Sequence, residues 1–475
     1  YWKPEDLTEN WLFFRWPVAA FGIVWPASLL RPMRDRWRYA FEQEIGPLQE
    51  GEECSTAPIS LFVDTFRDWR ALRAYAIGKS RLDPRYPSPL PIEARWEHGP
   101  SRITPHLVGT INKDNPFLPE TFETRLFEHK EINLSGTLKL TSERGSIAET
   151  QLHADPALEL REVIGQAALA ARPEADLITF DFDMDAYSQR REQLVFPASQ
   201  AAGIVHTAQI EDQGLDAYEA DNGIIRLRVA PSFGPALYSM RYHGREWLDT
   251  SFPQAGPKSF WNPWFGGILS APGGISLRSL QEEDTSADFA QVTDSAGNVW
   301  TGLKITTVIT QNEALRGFRY RQYFLLRPKS PVMAYFTVVE QRSGLPINDP
   351  VMQQNAYYSS SSDLQSGRFE IRDSHGAPIV YKTGRYDTDL EFEGPVRLFS
   401  AERQERLIVV PGEADGMQQY GVLLNELAGM HSNDRFDGEE GSLSFVRPYF
   451  HVFTDLDPQD DALSGLRGIR FEQEE

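Results

Sequence analysis

Cysteine is almost absent. Cys54 stands alone in 475 residues, so no intramolecular disulfide framework and no CxxC or Cys/His metal pattern can exist. That suits a reducing compartment and equally an exported protein built without bridges. No HxH or HExxH spacing, no GxxxxGK[ST] phosphate cradle and no GxSxG elbow occurs, so no metal and no cofactor is expected. Basic residues are the minority, with 47 Lys and Arg against 68 Asp and Glu and a formal net charge of −21. Nucleic-acid and anionic-membrane partners need clustered cations and are excluded on that ground. Long apolar runs are missing too. Residues 11–30 come nearest, but Arg15, Pro17 and Pro26 interrupt them, and a spanning helix needs about 20 unbroken apolar residues. They are expected to form a buried core segment, with no membrane span. The chain opens on Tyr1 with no leader pattern, as a processed form or a fragment would.

What remains is the composition of a soluble globular protein, 41% hydrophobic and 24% charged, with 12% aromatic residues including 11 Trp. Surplus tryptophan serves sugar stacking or a large β-core, and the core is the preferred reading. The length calls for two to four domains. Residues 1–95 read as a mixed α/β region. Leu29, Leu30, Met33, Trp37, Ala40, Phe41 and Ile45 recur at helical spacing over 27–45, and a second helix is expected over 65–77, preceded by a strand at 59–63. A proline-rich linker follows at 86–91.

From 96 to 200 the pattern becomes that of a small β-sandwich, with alternation at 132–140 and 177–185 and one helix-like piece at 157–171. Asp181, Asp183 and Asp185 alternate with Phe180, Phe182 and Met184. Alternation puts such aspartates on a solvent face rather than in a calcium loop, whose glycine and distal glutamate are missing. Residues 203–470 carry strand after strand and no long helical period, which calls for a large double-layered sandwich. The fold class is therefore mainly β.

The most unusual stretch is Glu246-Trp247-Leu248-Asp249 followed by Trp261-Asn262-Pro263-Trp264-Phe265-Gly266-Gly267. Indoles on a segment broken by proline and glycine either seal a core seam or line a hollow. Trp261, Asn262 and Trp264 combine stacking surface with an amide that bridges hydroxyls, and Arg278 adds a cation. The pairs Gly266-Gly267 and Gly273-Gly274 read as letting loops turn tightly or approach a ligand. For catalysis the candidates are His375, His431 and Asp434, all placed in loops. The acidic groups Glu282, Glu283, Asp284 and Asp437, Glu439, Glu440 are preferred as solvated loops, and the run Ser359–Ser362 is no nucleophile elbow.

Residues 205–470 resemble the galactose mutarotase-like β-supersandwich. The resemblance rests on the hairpins running into Glu246-Trp247-Leu248, and on Tyr323-Phe324-Leu325-Leu326-Arg327-Pro328 leading through Val338-Val339-Glu340-Gln341-Arg342-Ser343-Gly344. It implies a carbohydrate-active protein of the kind found among aldose epimerases, glycoside hydrolases and polysaccharide lyases, with a saccharide as ligand. In the family's Asn-His-x-Tyr-Phe-like segment the match is Gln354-Asn355-Ala356-Tyr357-Tyr358. Alanine there cannot shuttle a proton. The competing reading is a non-catalytic interaction protein whose aromatic loop anchors an assembly.

Overall fold

The computed structural model describes residues 9–15, 20–25, 31–34, 39–43, 45–49, 51–55, 58–66 and 69–80, then 107–119, 122–128, 134–142, 145–154, 161–165, 174–184 and 188–198, and finally 203–471 apart from 260, 349, 373–376, 386, 401, 413–417 and 425. The chain divides into two compact units, Tyr1–Arg95 and Trp96–Glu475.

In the first unit the strands Trp11–Arg15, Ala20–Val24 and Ser60–Val63 form an antiparallel sheet in sequence order. The helix Trp69–Ser80 lies against it and buries Leu72 and Ala76 beside Val24. Its start falls later than the expected 65, past Asp64 in left-handed backbone at φ 49°. The helix expected over 27–45 is not there. Arg31–Arg34 and Tyr39–Glu42 pair as antiparallel strands instead. Pro32 sits in mid-stripe, where its ring and missing N–H oppose a helix interior, and Tyr39 and Phe41 favour a pleated surface. The run 11–30 supplies two strands, and among the described residues no helix is long and apolar enough to cross a membrane.

The second unit begins with a five-stranded sheet, in which Gly145–Ala154, Leu134–Ser142, Asp176–Met184, Ser188–Pro197 and Phe117–Leu118 lie side by side. A three-stranded sheet is built from Arg161–Gly165, Phe122–Glu128 and Leu107–Ile111. The piece read as helical at 157–171 thus contains a strand, since Val163 and Ile164 find partners in Thr124 and Glu123. Ile178, Phe180 and Phe182 are fully buried. Asp181 sits opposite Lys139 on one side and Arg190 on the other, so cross-strand charge pairing accounts for it. Asp185 lies outside the described residues, and no group that could hold a metal occurs among those described.

Residues 206–454 fold as two ten-stranded antiparallel sheets. The first runs His206–Asp212, Leu215–Asp221, Ile225–Val229, Ala236–Tyr242, Ile268–Pro272, Val351–Tyr358, Leu427–Arg435, Gln418–Leu424, Thr388–Phe392, with Arg245–Glu246 hooked onto the fourth strand. The second holds Asp284–Thr293, Val299–Val308, Arg319–Leu326, Val332–Glu340, Tyr449–Thr454, Arg406–Pro411, Val396–Ser400, Gly367–Arg372 and Pro378–Lys382, with Leu443–Phe445 on Val332–Glu340. Their inner faces meet in one core that takes Leu227, Ile268, Ala356 and Met430 from the first sheet and Leu303, Phe324, Met333 and Leu407 from the second. Each sheet gives up one face of its alternation to this layer.

The second sheet is covered on its other face as well. Trp300, Leu325, Ala334, Phe336 and Phe450 pack there with Phe117, Leu194 and Phe196 of the preceding sheet and with Leu463, Leu466, Ile469 and Phe471. Val332–Glu340 is consequently buried at every position, the unbroken apolar run of a strand with no wet side.

Candidate functional site

The irregular stretch crosses the outer face of the first sheet. Trp247 and Leu248 are core residues, 1% and 3% exposed, with the Arg403 guanidinium 4.2 Å from the Trp247 ring centre. Glu246 turns back to accept from Met240 N at 2.8 Å and Ser239 Oγ at 2.5 Å. Asp249 is then bolted to the neighbouring strand: its N–H donates to Tyr357 O at 3.0 Å, and its carbonyl accepts from Gly267 N at 2.7 Å. Gly266 and Gly267 have φ of 70° and 66°. A Cβ on Gly267 would overlap the Leu237 carbonyl oxygen, and one on Gly266 the Asp249 carbonyl oxygen. The Gly pair is where two backbones come too close for a side chain.

Between these anchors Gly256–Lys258 and Trp261–Trp264 form a short hairpin, with Lys258 directly opposite Trp261. The Trp261 ring stands edge-on to Tyr357 at 5.8 Å and to His431 at 6.2 Å. Tyr357 and His431 are themselves joined, the hydroxyl to Nε2 at 3.1 Å. Burial pushes the Tyr357 phenol well above its ordinary value, so it stays a neutral hydrogen-bonding group. Lys258 Nζ reaches Asp249 Oδ2 at 2.5 Å and lies 4.3 Å from the Trp264 ring centre. Burial raises the Asp249 carboxyl and Glu426 adds to it, with Lys258 opposing.

Three further side chains share this face with His431 by register. Asn355 is paired with His431, and Gln353 with Asn433. Gln353 and Asn433 are exposed, Asn355 and His431 partly so. All four are hydrogen-bonding groups without a fixed charge on adjacent strands, a patch of roughly 5 by 7 Å from strand spacing and rise, with an indole at its edge. Among the residues singled out from sequence, Trp261 and His431 come together here. Asn262 is exposed beside the half-buried Trp261. Gln353, Asn355 and Asn433 were not foreseen. Their signal is the amide run Gln353-Gln354-Asn355, of which strand alternation puts the first and third on this face and Gln354 on the other.

Several expectations need correction. Trp264 is no platform: it is 2% exposed, sealed against Tyr357, Leu424 and Leu427. His431 and Asp434 lie on the strand Leu427–Arg435 rather than in a loop. Three positions apart, they point to opposite faces. Asp434 faces the interior, where its carboxylate accepts from Arg447 Nη2 at 2.7 Å, Gln354 Nε2 at 2.8 Å and Ser432 Oγ at 2.9 Å. Burial nonetheless raises its carboxyl, with Arg447 opposing. It is a structural member of a buried polar network and cannot meet a ligand beside His431. His375 lies outside the described residues. Arg278 is exposed on the short helix Leu277–Leu280, which lies against Trp261–Trp264. Glu283 is not solvated either. Burial would raise its carboxyl, but donation from the N–H groups of Gln311, Thr310 and Asn312 at 2.9, 2.5 and 2.9 Å holds it below the usual range.

No protein-family model matches the chain, and no curated protein matches it. Solved structures similar to it include a TPR-domain containing protein from Parabacteroides distasonis, 11% identical over 59% of this chain and 50% of that one, with a TM-score of 0.39. A GH36 α-galactosidase from Geobacillus stearothermophilus is 10% identical over 54% and 42%, TM-score 0.35. A galactose mutarotase related enzyme from Lactobacillus acidophilus is 11% identical over 54% and 99%, TM-score 0.34. This chain therefore spans about half the length of the first and less of the second. Likeness at this level carries no argument about what the chain does.

Proposed function

We propose that this is a carbohydrate-active protein, organised as 1–95, a β-sandwich over 96–200 and a galactose mutarotase-like supersandwich over 203–470, which binds an uncharged saccharide on the outer face of its first sheet. The observation that supports this reading is the patch of Gln353, Asn355, His431 and Asn433 with Trp261 at its rim. Amides and imidazole donate and accept at once, as a sugar hydroxyl does, and none of the four brings a fixed charge. The apolar face of a pyranose packs on an indole, and the patch is about as wide as one ring.

Isothermal titration with galactose, glucose and their β- and α-linked oligosaccharides tests it. Binding by the wild-type chain, weakened at least tenfold in Trp261→Ala and in Asn355→Ala, is the expected result. If no saccharide binds at millimolar concentration, or if both variants bind as the wild type does, the reading is wrong.

A further inference from the structure

We infer that Lys258 is a positioning residue, whose ion pair with Asp249 sets the Trp261 indole over Tyr357 and His431; this rests on the saccharide reading only for its functional consequence. Two chains of contacts meet at this ion pair. Asp249 is fixed to the floor of the site through backbone alone. Its N–H donates to Tyr357 O, Gly267 N donates to its carbonyl, and Tyr357 N donates to Gly267 O at 2.9 Å. Leu248 just before it is bridged to Tyr358. The Asp249 side chain therefore moves with the strand that carries Tyr357 and Asn355.

Lys258 belongs to the roof. It faces Trp261 across the hairpin Gly256–Lys258/Trp261–Trp264. Beside the ring contacts of Trp261 and Trp264 with Tyr357, the charged contact between floor and roof is Lys258 Nζ to Asp249 Oδ2, 2.5 Å, with the same ammonium held over the Trp264 ring. Both side chains are about three-quarters withdrawn from water, at 22% and 23% exposed. Exposed ion pairs contribute little, but a pair this far out of solvent, with an indole as second partner, holds its geometry. The Trp264 end of the hairpin is already seated on Tyr357, Leu424 and Leu427, so the ion pair acts on the strand Gly256–Lys258 that faces Trp261, and an indole edge displaced by an ångström no longer lies in register with a sugar ring.

The test uses the full chain labelled with 5-fluorotryptophan, the Trp261 resonance being assigned by Trp261→Phe. Lys258→Met keeps the aliphatic stem and removes the charge, Asp249→Asn removes the other partner, and Lys258→Arg restores a cation. The ¹⁹F line of Trp261 is expected to shift and broaden in Lys258→Met and Asp249→Asn and to recover in Lys258→Arg. Saccharide Kd is expected to rise about tenfold in the first two, the scale of one charge-assisted contact. A role confined to stability would lower the unfolding midpoint and leave that line in place, which overturns the inference. Should the line move while no saccharide binds even to the wild type, the positioning role stands and the saccharide reading falls.

Discussion

His451 shows how much a single residue can reveal about the interior. Its ring is 1% exposed, and Nε2 pairs with the Tyr358 hydroxyl at 2.9 Å. Burial pushes its pKa down to about 3, so the folded protein holds it neutral where an unfolded chain would protonate it near 6.5. The unfolded state binds the extra proton, and stability falls as pH drops below that value, by up to about 1.4 kcal/mol per pH unit for one proton. Asp434 acts in the opposite sense. Its raised carboxyl takes up a proton more readily folded than unfolded, but only toward the carboxylate range. Urea unfolding of the wild type and of His451→Gln between about pH 5 and 6.5 isolates the histidine. The difference in free energy should slope with pH, and a flat difference would refute the assignment. Tryptophans divide just as sharply. Trp264→Ala should cost about 3–5 kcal/mol because it empties a sealed site, while Trp261→Ala should leave the unfolding midpoint nearly unchanged and act on binding instead.

Among elements, the loop from Asp249 to Gly267 is the one most constrained by backbone. Gly267→Ala must place a methyl against the Leu237 carbonyl at a left-handed φ. We expect a loss of about 2 kcal/mol or more, read as a lower urea midpoint at unchanged m-value. The turn itself was legible from Gly266-Gly267, and the long strands of 203–470 were legible from alternation. Elsewhere the signal was absent for physical reasons. Met430-His431-Ser432-Asn433-Asp434 looks like a turn because four polar residues in a row follow Met430. It is polar on one face for the patch and on the other for the network around Arg447, and a strand wet on one side and internally hydrogen-bonded on the other has no apolar period to read. The stripe over 27–45 failed the other way, its spacing imitating a helix while Pro32 forbade one. Trp264 and Trp261 are indistinguishable in sequence, because only the third dimension decides which ring of a Trp-x-x-Trp faces in.

Across the whole second unit, the core on the far side of the second sheet joins three stretches distant in sequence. Phe117 meets Trp300 edge-on at 5.4 Å, and Phe471 stacks on Phe336 at 4.4 Å. Arg327 lies 4.0 Å from the Phe117 ring and donates to Asn298 Oδ1 at 2.7 Å, and Asn115 hydrogen-bonds the same Asn298 at 3.1 Å. Residues on both sides of position 200 are thus expected to melt together. Calorimetry of the 96–475 unit should give a single transition, lowered by Phe117→Ala and by Leu466→Ala alike, each by about 2–5 kcal/mol. Two separate transitions, only one of them sensitive to Phe117→Ala, would count against this.

A sheet clad on both sides has a practical corollary for anyone wishing to work with a shorter piece. Severing the polypeptide near 200 would strip the greasy reverse of Val332–Glu340 of its lining and leave Ala334, Phe336 and Trp300 facing water, a bare area of the kind that drives proteins to clump. Trimming the last dozen residues would do the same from the opposite end. The smallest soluble piece carrying the face with Gln353, Asn355 and His431 is therefore expected to keep both the upstream strands and the tail.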